Sequence, residues 1–565
     1  MINKRIKILR KKLNQLNIDG YIVPKNDEFF SEYDAYNRLE NISDFRGSAG
    51  LGIVLKKNNY LFVDGRYTIQ AQKESGKNFK IVEIHKKQPS TIIKNCKLGF
   101  DPSLFTSRQL KYYFSNKTNL ISINKNLIDE ICGKKIVKKK AFYSLNKKIV
   151  GESRESKIKR ITKILTLNKT DYLFVSAPEN VAWLLNIRGY DNPNSPVPNC
   201  RLIVGRKNKL FLIANKENVK KIIKEKKIKK KEFIDPVDFK NLIHKLKGNN
   251  FIIDSKSCSI FYEKMIKTKF NIVKKDDPIY KLKSIKNSIE IKNMIKAHEK
   301  DGLALTRFIY WIKNTNKKKI TEVEAQDKLE KFRKRNKDYL FPSFNTIAGT
   351  GSNAAIVHYR ATKNCTKIIK KKDIFLCDSG GQYKYGTTDV TRTICFSEQN
   401  KNIKDTYTKV LKGHIAVALT NLKKDDTGKK IDKRARKFLK KDGLDYAHGT
   451  GHGVGFFLNV HEGPQSISKL NSIKMEKGMI LSNEPGFYKK NSFGMRIENL
   501  IYVKKFKNHL FFENLTFAPI EKDLINNKLL NKKEKNYLFK YHLNIYAKYS
   551  NFLSQKEKKW LTTLI

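Results

Sequence analysis

Between residues 374 and 501 the chain places acidic residues in stretches otherwise built for burial. Asp378 ends the apolar run Ile374-Phe375-Leu376-Cys377 and leads into Ser379-Gly380-Gly381, while Asp389 stands eleven residues later, just before a strand expected at 391–396. Glu484 follows the apolar Met479-Ile480-Leu481, and Glu498 lies within 495–501, read as one strand whose alternation puts Arg496 and Glu498 on one face. A strand, a Gly-rich turn and a returning strand would bring Asp378 and Asp389 to the same end of a sheet. An Asp beside Gly is most often a turn or cap residue, and a salt bridge to a neighbouring Arg accounts for a single buried carboxylate. Four gathered carboxylates are another matter. They repel one another unless cations sit among them.

Histidines accompany the acids. His448-Gly449-Thr450-Gly451-His452-Gly453-Val454-Gly455 is too rich in glycine for an ordinary helix or strand, and such glycines let backbone approach a ligand closely. His461 follows nine residues after His452, so three His fall within fourteen residues. A lone His is usually a satisfied core or surface residue; this spacing points to ligand or proton-transfer work. Four carboxylates and one neutral imidazole supply four negative charges, which balances two divalent cations. An oxygen-rich set with one imidazole suits Mn(II), Co(II) or Zn(II). Two such ions about 3.5–4 Å apart would share a bridging water and give hydroxide near neutral pH. That is equipment for hydrolysis.

The remainder of the chain sets limits on this reading. At 565 residues it is too long for one core, so two to four domains are expected. The formal net charge is +63, yet the excess is mostly Lys in short runs such as 138–140, 229–231 and 370–372. Arg, the better reader of phosphates, is scarce, and a Lys, Asn and Ile coding bias gives the same composition. Nucleic acid is therefore not expected as a partner despite the basic charge. Seven scattered Cys without a CxxC pair argue against a disulfide framework and for a reducing compartment. No stretch approaches 18 uninterrupted apolar residues, so no membrane span is expected. Ile6, Ile8, Leu9, Leu13 and Leu16 follow helical spacing up to Asp19-Gly20, which reads as a first domain helix rather than a signal peptide.

Two α/β blocks of similar rhythm, up to about 140 and from about 150 to 284, suggest a duplication. In the first, the runs at 50–55 and 60–63 flank the polar turn Lys56-Lys57-Asn58-Asn59 and read as a hairpin. A helix of about thirty residues begins near Ser288, with Ile291, Met294, Ile295, Leu305, Phe308, Ile309 and Ile312 on one stripe. The Lys-rich end of the chain, with aromatics at helical spacing, reads as a helical extension packed on the preceding domain.

Taken in order, six segments resemble the aminopeptidase P (Xaa-Pro aminopeptidase) family of pita-bread metallopeptidases. They are Asp378-Ser-Gly-Gly-Gln, Thr387-Thr-Asp389-Val-Thr-Arg-Thr, His448-Gly-Thr-Gly-His452-Gly-Val-Gly, Asn459-Val-His461-Glu-Gly-Pro, Asn483-Glu484-Pro-Gly and Arg496-Ile-Glu498-Asn. Upstream, Phe45-Arg-Gly-Ser-Ala-Gly, Val63-Asp-Gly-Arg-Tyr, Val181-Ala-Trp-Leu-Leu-Asn-Ile-Arg-Gly and the segment 343–354 resemble its long, three-domain branch. The resemblance implies an α/β (α+β) chain with two creatinase-like domains at 1–140 and 150–284. A pita-bread catalytic domain at 285–520 and a helical extension at 521–565 would follow.

It also implies two metal ions, typically Mn(II), with Zn or Co as alternatives. Asp378 would chelate one ion, Asp389 and Glu498 would bridge both, and His452 and Glu484 would bind the other. His358 would stabilise the tetrahedral intermediate or handle a proton, and His448 and His461 would lie near the proline pocket and leaving nitrogen. Tyr488 and Arg496 match pocket or supporting positions. The implied substrates are peptides with proline second, cut by a hydroxide bridging the two ions in a cytoplasmic homodimer. Tyr385 and Met495 depart from the family pattern and bear on fine specificity. A prolidase restricted to dipeptides is the nearest alternative, disfavoured by the two upstream domains. A non-catalytic peptide-binding module is disfavoured by five filled ligand positions.

Overall fold

The computed structural model describes residues 1–33, 36–114, 118–133, 140–315 and 319–565. Lys138 and Lys139 of the first lysine run lie outside these. The chain divides into two compact units, Met1–Tyr280 and Lys281–Ile565.

The N-terminal unit holds two six-stranded sheets with the same plan. In the first, Gly20–Pro24 is central, antiparallel to Leu51–Leu55 and parallel to Lys97–Phe100. Asn59–Val63 then pairs antiparallel with Leu51–Leu55, while Lys80–Glu83 and Asn119–Ser122 add parallel edges. In the second, Tyr172–Val175 takes the central place, antiparallel to Arg201–Gly205 and parallel to Asn250–Ile253. Lys209–Ile213 follows antiparallel, and Phe233–Ile234 and Asn271–Lys274 close the edges in parallel. Every pairing direction is repeated, so the similar rhythm of the two blocks is a repeat of topology.

The first helix, Ile2–Gln15, buries Ile2, Ile6, Leu9 and Leu13. Ile8 and Leu16, expected on the same stripe, are exposed. The 3.6-residue period puts them on the flank of a stripe set by steps of three and four. The hairpin at 51–63 forms as the alternation predicts.

In the C-terminal unit the long helix runs Ser288–Asn314 and is capped by an Asn287/Glu290 capping box. It buries Met294, Leu305, Phe308, Ile309 and Ile312. Ile347–Thr350, Ile374–Ser379 and Val390–Cys395 form one antiparallel sheet. A five-stranded sheet runs Glu462–Ile467, Gly451–Gly453, Ile480–Asn483, Asn499–Phe506 and His509–Asn514. The final helices, Lys532–Tyr549 and Gln555–Thr562, pack Leu538, Tyr541, Ile545, Tyr549 and Leu561 into a core shared with Ile374, Tyr407, Met495 and Ile497. The terminal segment is thus part of this unit's core. Among the described residues no helix is long and apolar enough to cross a membrane.

Two local expectations change. The segment 495–501 is two strands: Phe493–Arg496 pairs with Gly486–Lys489, whereas Asn499–Phe506 pairs with Ile480–Asn483. Glu498 lies at the junction, where its N–H donates to the Thr391 carbonyl (3.1 Å) and Ile497 N–H donates to Pro485 (3.3 Å). The chain changes partners there, so the single run of alternation does not persist. His452 sits in a short strand, Gly451–Gly453, despite its glycines. A Cβ on Gly451 would stand 1.9 Å from the Ser482 carbonyl, so glycine is what allows this strand to lie so close.

Candidate metal centre

Strand pairing assembles the acidic groups. Asp378 is in register with Thr391, and Ser379 with Val390, which places Asp378 and Asp389 at one end of the sheet. Glu484 N–H donates to the Thr450 carbonyl (2.8 Å), bringing Glu484 beside the His452 strand. Ser482 Oγ accepts from His452 N–H (2.9 Å) and donates to Glu484 Oε1 (3.1 Å). The result is a convergence of donors. His452 Nε2 lies 3.4 Å from Asp389 Oδ2 and 3.5 Å from Glu484 Oε1. Ligand atoms of Asp389, His452 and Glu498 all fall within 4.8 Å of one another. Asp378 joins through Arg496, whose Nη2 donates to its Oδ2 at 2.6 Å.

The electrostatics point to missing positive charge. Burial raises the Asp378 carboxyl to about 7 against the pull of Arg496, with Asp389 and Glu484 adding to the rise. Burial, then Asp389, Glu484 and Asp378, push Glu498 well above the usual carboxylate range. Burial acts in the same direction on Glu484, but the rings of His452 and His448 reverse it and leave this carboxyl below its ordinary value. Burial disfavours the His452 cation, yet Asp389 and Glu484 more than offset this and push it up to about 9. The carboxylates demand a cation at Nε2.

The donor set fits divalent ions. Asp378 Oδ1 is buried with no hydrogen-bond partner among the described residues, a state costing about 1–3 kcal/mol unless something else satisfies the oxygen. His452 Nδ1–H donates to the Gly453 carbonyl (2.9 Å), which leaves Nε2 directed at Asp389 and Glu484. Such a bond from the far nitrogen orients a ligating imidazole. Thr391 Oγ1 donates to Glu498 Oε2 (2.8 Å) and accepts from Arg496 Nε (3.0 Å), so Arg496 and Glu498 meet at one hydroxyl and not on the face of one strand as the alternation implied.

The remaining candidate residues surround this centre to different extents. His448 Nδ1–H donates to Gly449 O (2.7 Å) and Nε2 meets the Tyr488 hydroxyl (2.9 Å), which Arg496 Nη1 also reaches. Burial pushes His448 down to about 4, so its ring is neutral at neutral pH. The His461 ring is exposed and lies 4.1 Å, centroid to centroid, from that of His452. His358 is half-buried in the turn after the Gly351–Ala355 helical turn, which packs on Phe493–Arg496 so tightly that a Cβ on Gly494 would meet the Ala354 carbonyl at 1.9 Å. Sequence reasoning missed Thr391, Arg392 and Ser482. Thr391 carried a usable signal, standing two residues after Asp389 at the start of the expected strand.

Residues 292–505 match the model of metallopeptidase family M24, and 508–564 that of the C-terminal region of peptidase M24. Residues 5–131 and 134–290 each match a creatinase/prolidase N-terminal domain. A probable Xaa-Pro aminopeptidase P from Laccaria bicolor is 34% identical over 599 aligned residues, covering 99% of this chain and 92% of the relative. The chain belongs to the Xaa-Pro aminopeptidase family of M24 metallopeptidases. Within this family, the X-prolyl aminopeptidase of Caenorhabditis elegans, described as a cytosolic enzyme with a di-nuclear active site, superposes with a TM-score of 0.90. It is 27% identical, and the match covers 100% of this chain and 99% of that one. The prolidase of Pyrococcus furiosus is also 27% identical, but its match covers only 63% of this chain and 99% of its own, with a TM-score of 0.52.

Proposed function

We propose that the chain is a dinuclear Xaa-Pro aminopeptidase, releasing the N-terminal residue of peptides whose second residue is proline. The observation that carries this is the excess of buried carboxylate. Asp378, Asp389, Glu484 and Glu498 converge on one imidazole and one guanidinium, with Asp378 Oδ1 unpartnered. Asp378, Asp389, His452, Glu484 and Glu498 would hold the two ions between them, Asp378 on one side, His452 and Glu484 on the other, and Asp389 and Glu498 shared. Mn(II) is the metal proposed, with Zn and Co as alternatives. When bound, the ions supply Lewis acidity at the scissile carbonyl and lower the pKa of water.

The protein's own groups handle the proline. The bond to be cut is a tertiary amide whose nitrogen carries no hydrogen, so it must gain a proton to leave. His358 and His461 face the substrate in this reading and move that proton to the proline nitrogen. His448 is neutral and tied to Tyr488, and Tyr488 is held by Arg496; these three shape the pocket for the ring. The four-domain boundaries 1–140, 150–284, 285–520 and 521–565 belong to the same proposal, as does a cytoplasmic homodimer without membrane or nucleic-acid partners.

Mass spectrometry of digests tests the reading. Tripeptides and longer substrates of the Arg-Pro-Pro type should lose one residue, acetylated peptides should resist, and alanine in place of the second proline should remove most of the rate. Cleavage confined to dipeptides would make the enzyme a prolidase, and indifference to proline would make it a general aminopeptidase.

A further inference from the structure

Arg392 is a fully buried guanidinium that meets no carboxylate among the described residues. Its Nε donates to Pro519 O (2.9 Å), and Nη1 to Thr391 O (2.8 Å) and Glu498 O (2.6 Å). Nη2 donates to Asn499 Oδ1 (2.8 Å), Ala518 O (2.9 Å) and the Tyr541 hydroxyl (3.0 Å). All five N–H groups of the fork are therefore met by neutral oxygens. Two of these bonds reach the backbone on the metal side, and three reach Ala518, Pro519 and Tyr541 of the C-terminal region at 508–564. Tyr541 is buried in turn, accepting from Ala518 N–H (3.1 Å) as well as from Arg392.

Glu498 has no regular strand to hold it, since it sits where the chain leaves one sheet for another. Three contacts fix it instead. Its N–H donates to Thr391 O, its carbonyl accepts from Arg392, and its Oε2 accepts from Thr391 Oγ1. All three depend on where the Thr391-Arg392 pair stands, and Arg392 is anchored from behind by the C-terminal region. A carboxylate partner for Arg392 would add a fifth anion close to the centre; carbonyl and hydroxyl oxygens hold the cation without doing so.

We infer that the C-terminal region is a backing plate for the metal centre, with Arg392 and Tyr541 as positioning residues that set the place of Glu498. This rests on the dinuclear reading of Glu498. A ligand held a fraction of an ångström out of place weakens metal binding by about 10–100-fold when its supporting bonds are lost.

Calorimetric titration of the chelated full-length protein with Mn(II) tests the inference. Arg392→Lys keeps the charge but loses the fork, and should weaken Mn(II) binding by about 10–100-fold and lower kcat with KM little changed. Tyr541→Phe, which removes one oxygen and keeps the ring packing, should weaken binding several-fold; it decides the matter if Arg392→Lys does not fold. Tyr537→Phe, at a ring stacked on Tyr541 whose hydroxyl is bonded among the described residues to Asn514 alone, should leave affinity unchanged. A fall in Tm for Arg392→Lys and Tyr541→Phe with Mn(II) affinity within about twofold of wild type would overturn the inference and leave the dinuclear reading standing. Glu498→Gln with undiminished Mn(II) affinity would overturn that reading itself, and this assignment with it.

Discussion

Glu462 and Glu498 are both buried carboxylates of the C-terminal unit, but their surroundings have opposite sign. Glu462 is clamped by Lys283 Nζ (2.9 Å) and Lys286 Nζ, all three groups being almost fully buried. Burial lowers the Lys286 ammonium, and Glu462 is the largest influence opposing that. Around Glu498 stand Asp389, Glu484 and Asp378, with Arg496 as the opposing charge. One cluster sets Lys283 and Lys286 against Glu462, with Glu290 as a further anion acting on Lys286, and closes with side chains alone. The other has more anions than the protein supplies cations for, and its charge must be completed from outside. A buried ion pair is therefore no sign of function by itself; an unbalanced one is.

The largest expected effects come from the unbalanced cluster. Exhaustive chelation should abolish hydrolysis and Mn(II) should restore it, while Asp389→Asn should cost several orders of magnitude, because a bridging ligand serves both ions. Full activity in the metal-free protein would remove the distinction drawn between the two clusters. Next in size is His358→Ala, expected to reduce turnover by about 10²–10⁴-fold, the range for loss of a general acid or base. Metal content, measured by elemental analysis, should stay near wild type; an emptied site would make His358 a ligand rather than a substrate-side group.

The balanced cluster should respond in stability rather than chemistry. Glu462→Gln leaves two buried ammonium groups facing an amide, and breaking a buried pair in this way typically costs about 3–5 kcal/mol. Urea denaturation should show that loss both with and without Mn(II), with two ions still bound per chain. If metal binding disappears as well, the clusters are not independent, and the adjacency of Glu462 to His461 matters more than its ion pairs.

The two clusters also differed in how far the sequence revealed them. Asp378 ends an apolar run, Glu484 closely follows one and Asp389 stands just before an expected strand, and charge in such places needs an explanation. Glu462 gives no such signal. Its partners lie more than 170 residues upstream in a segment that reads only as the entry to a long helix. Arg392 sits inside a motif quoted for its aspartate, and its acceptors are mostly backbone carbonyls, which no side-chain pattern records. The break at Ile497 and Glu498 was invisible for a similar reason, since a strand-like composition continues across it while the pairing partners change. The duplicated sheets repeat in topology without an evident repeat of residues, because a strand needs only a pattern of burial, not an identity.

The smallest expected effect has the most diagnostic sign. In chelated protein Glu498 is driven well above the ordinary carboxylate range, so the folded state holds a proton that the unfolded chain releases near its usual value. Such a group contributes stability fully present below the unfolded pKa and lost as pH rises through the folded one. Asp378, raised to about 7, acts in the same direction. Chelated wild-type protein should therefore melt at progressively lower temperature as pH rises from about 5 to 8, by this part of its charge. Glu498→Gln copies the protonated acid, and its amide oxygen can still accept from Thr391 Oγ1. The chelated variant should melt within a few degrees of wild type at acid pH, with a shallower decline toward alkaline pH. It should show little of the gain in melting temperature that Mn(II) gives wild type, because binding to the folded state alone is what produces that gain. Glu462→Gln should do the reverse, falling in both states and keeping the Mn(II) gain. If Glu498→Gln were instead as destabilising as Glu462→Gln in chelated protein, Glu498 would be a structural anion satisfied by Arg496 and Thr391, and the contrast between the clusters would fail at its weakest point.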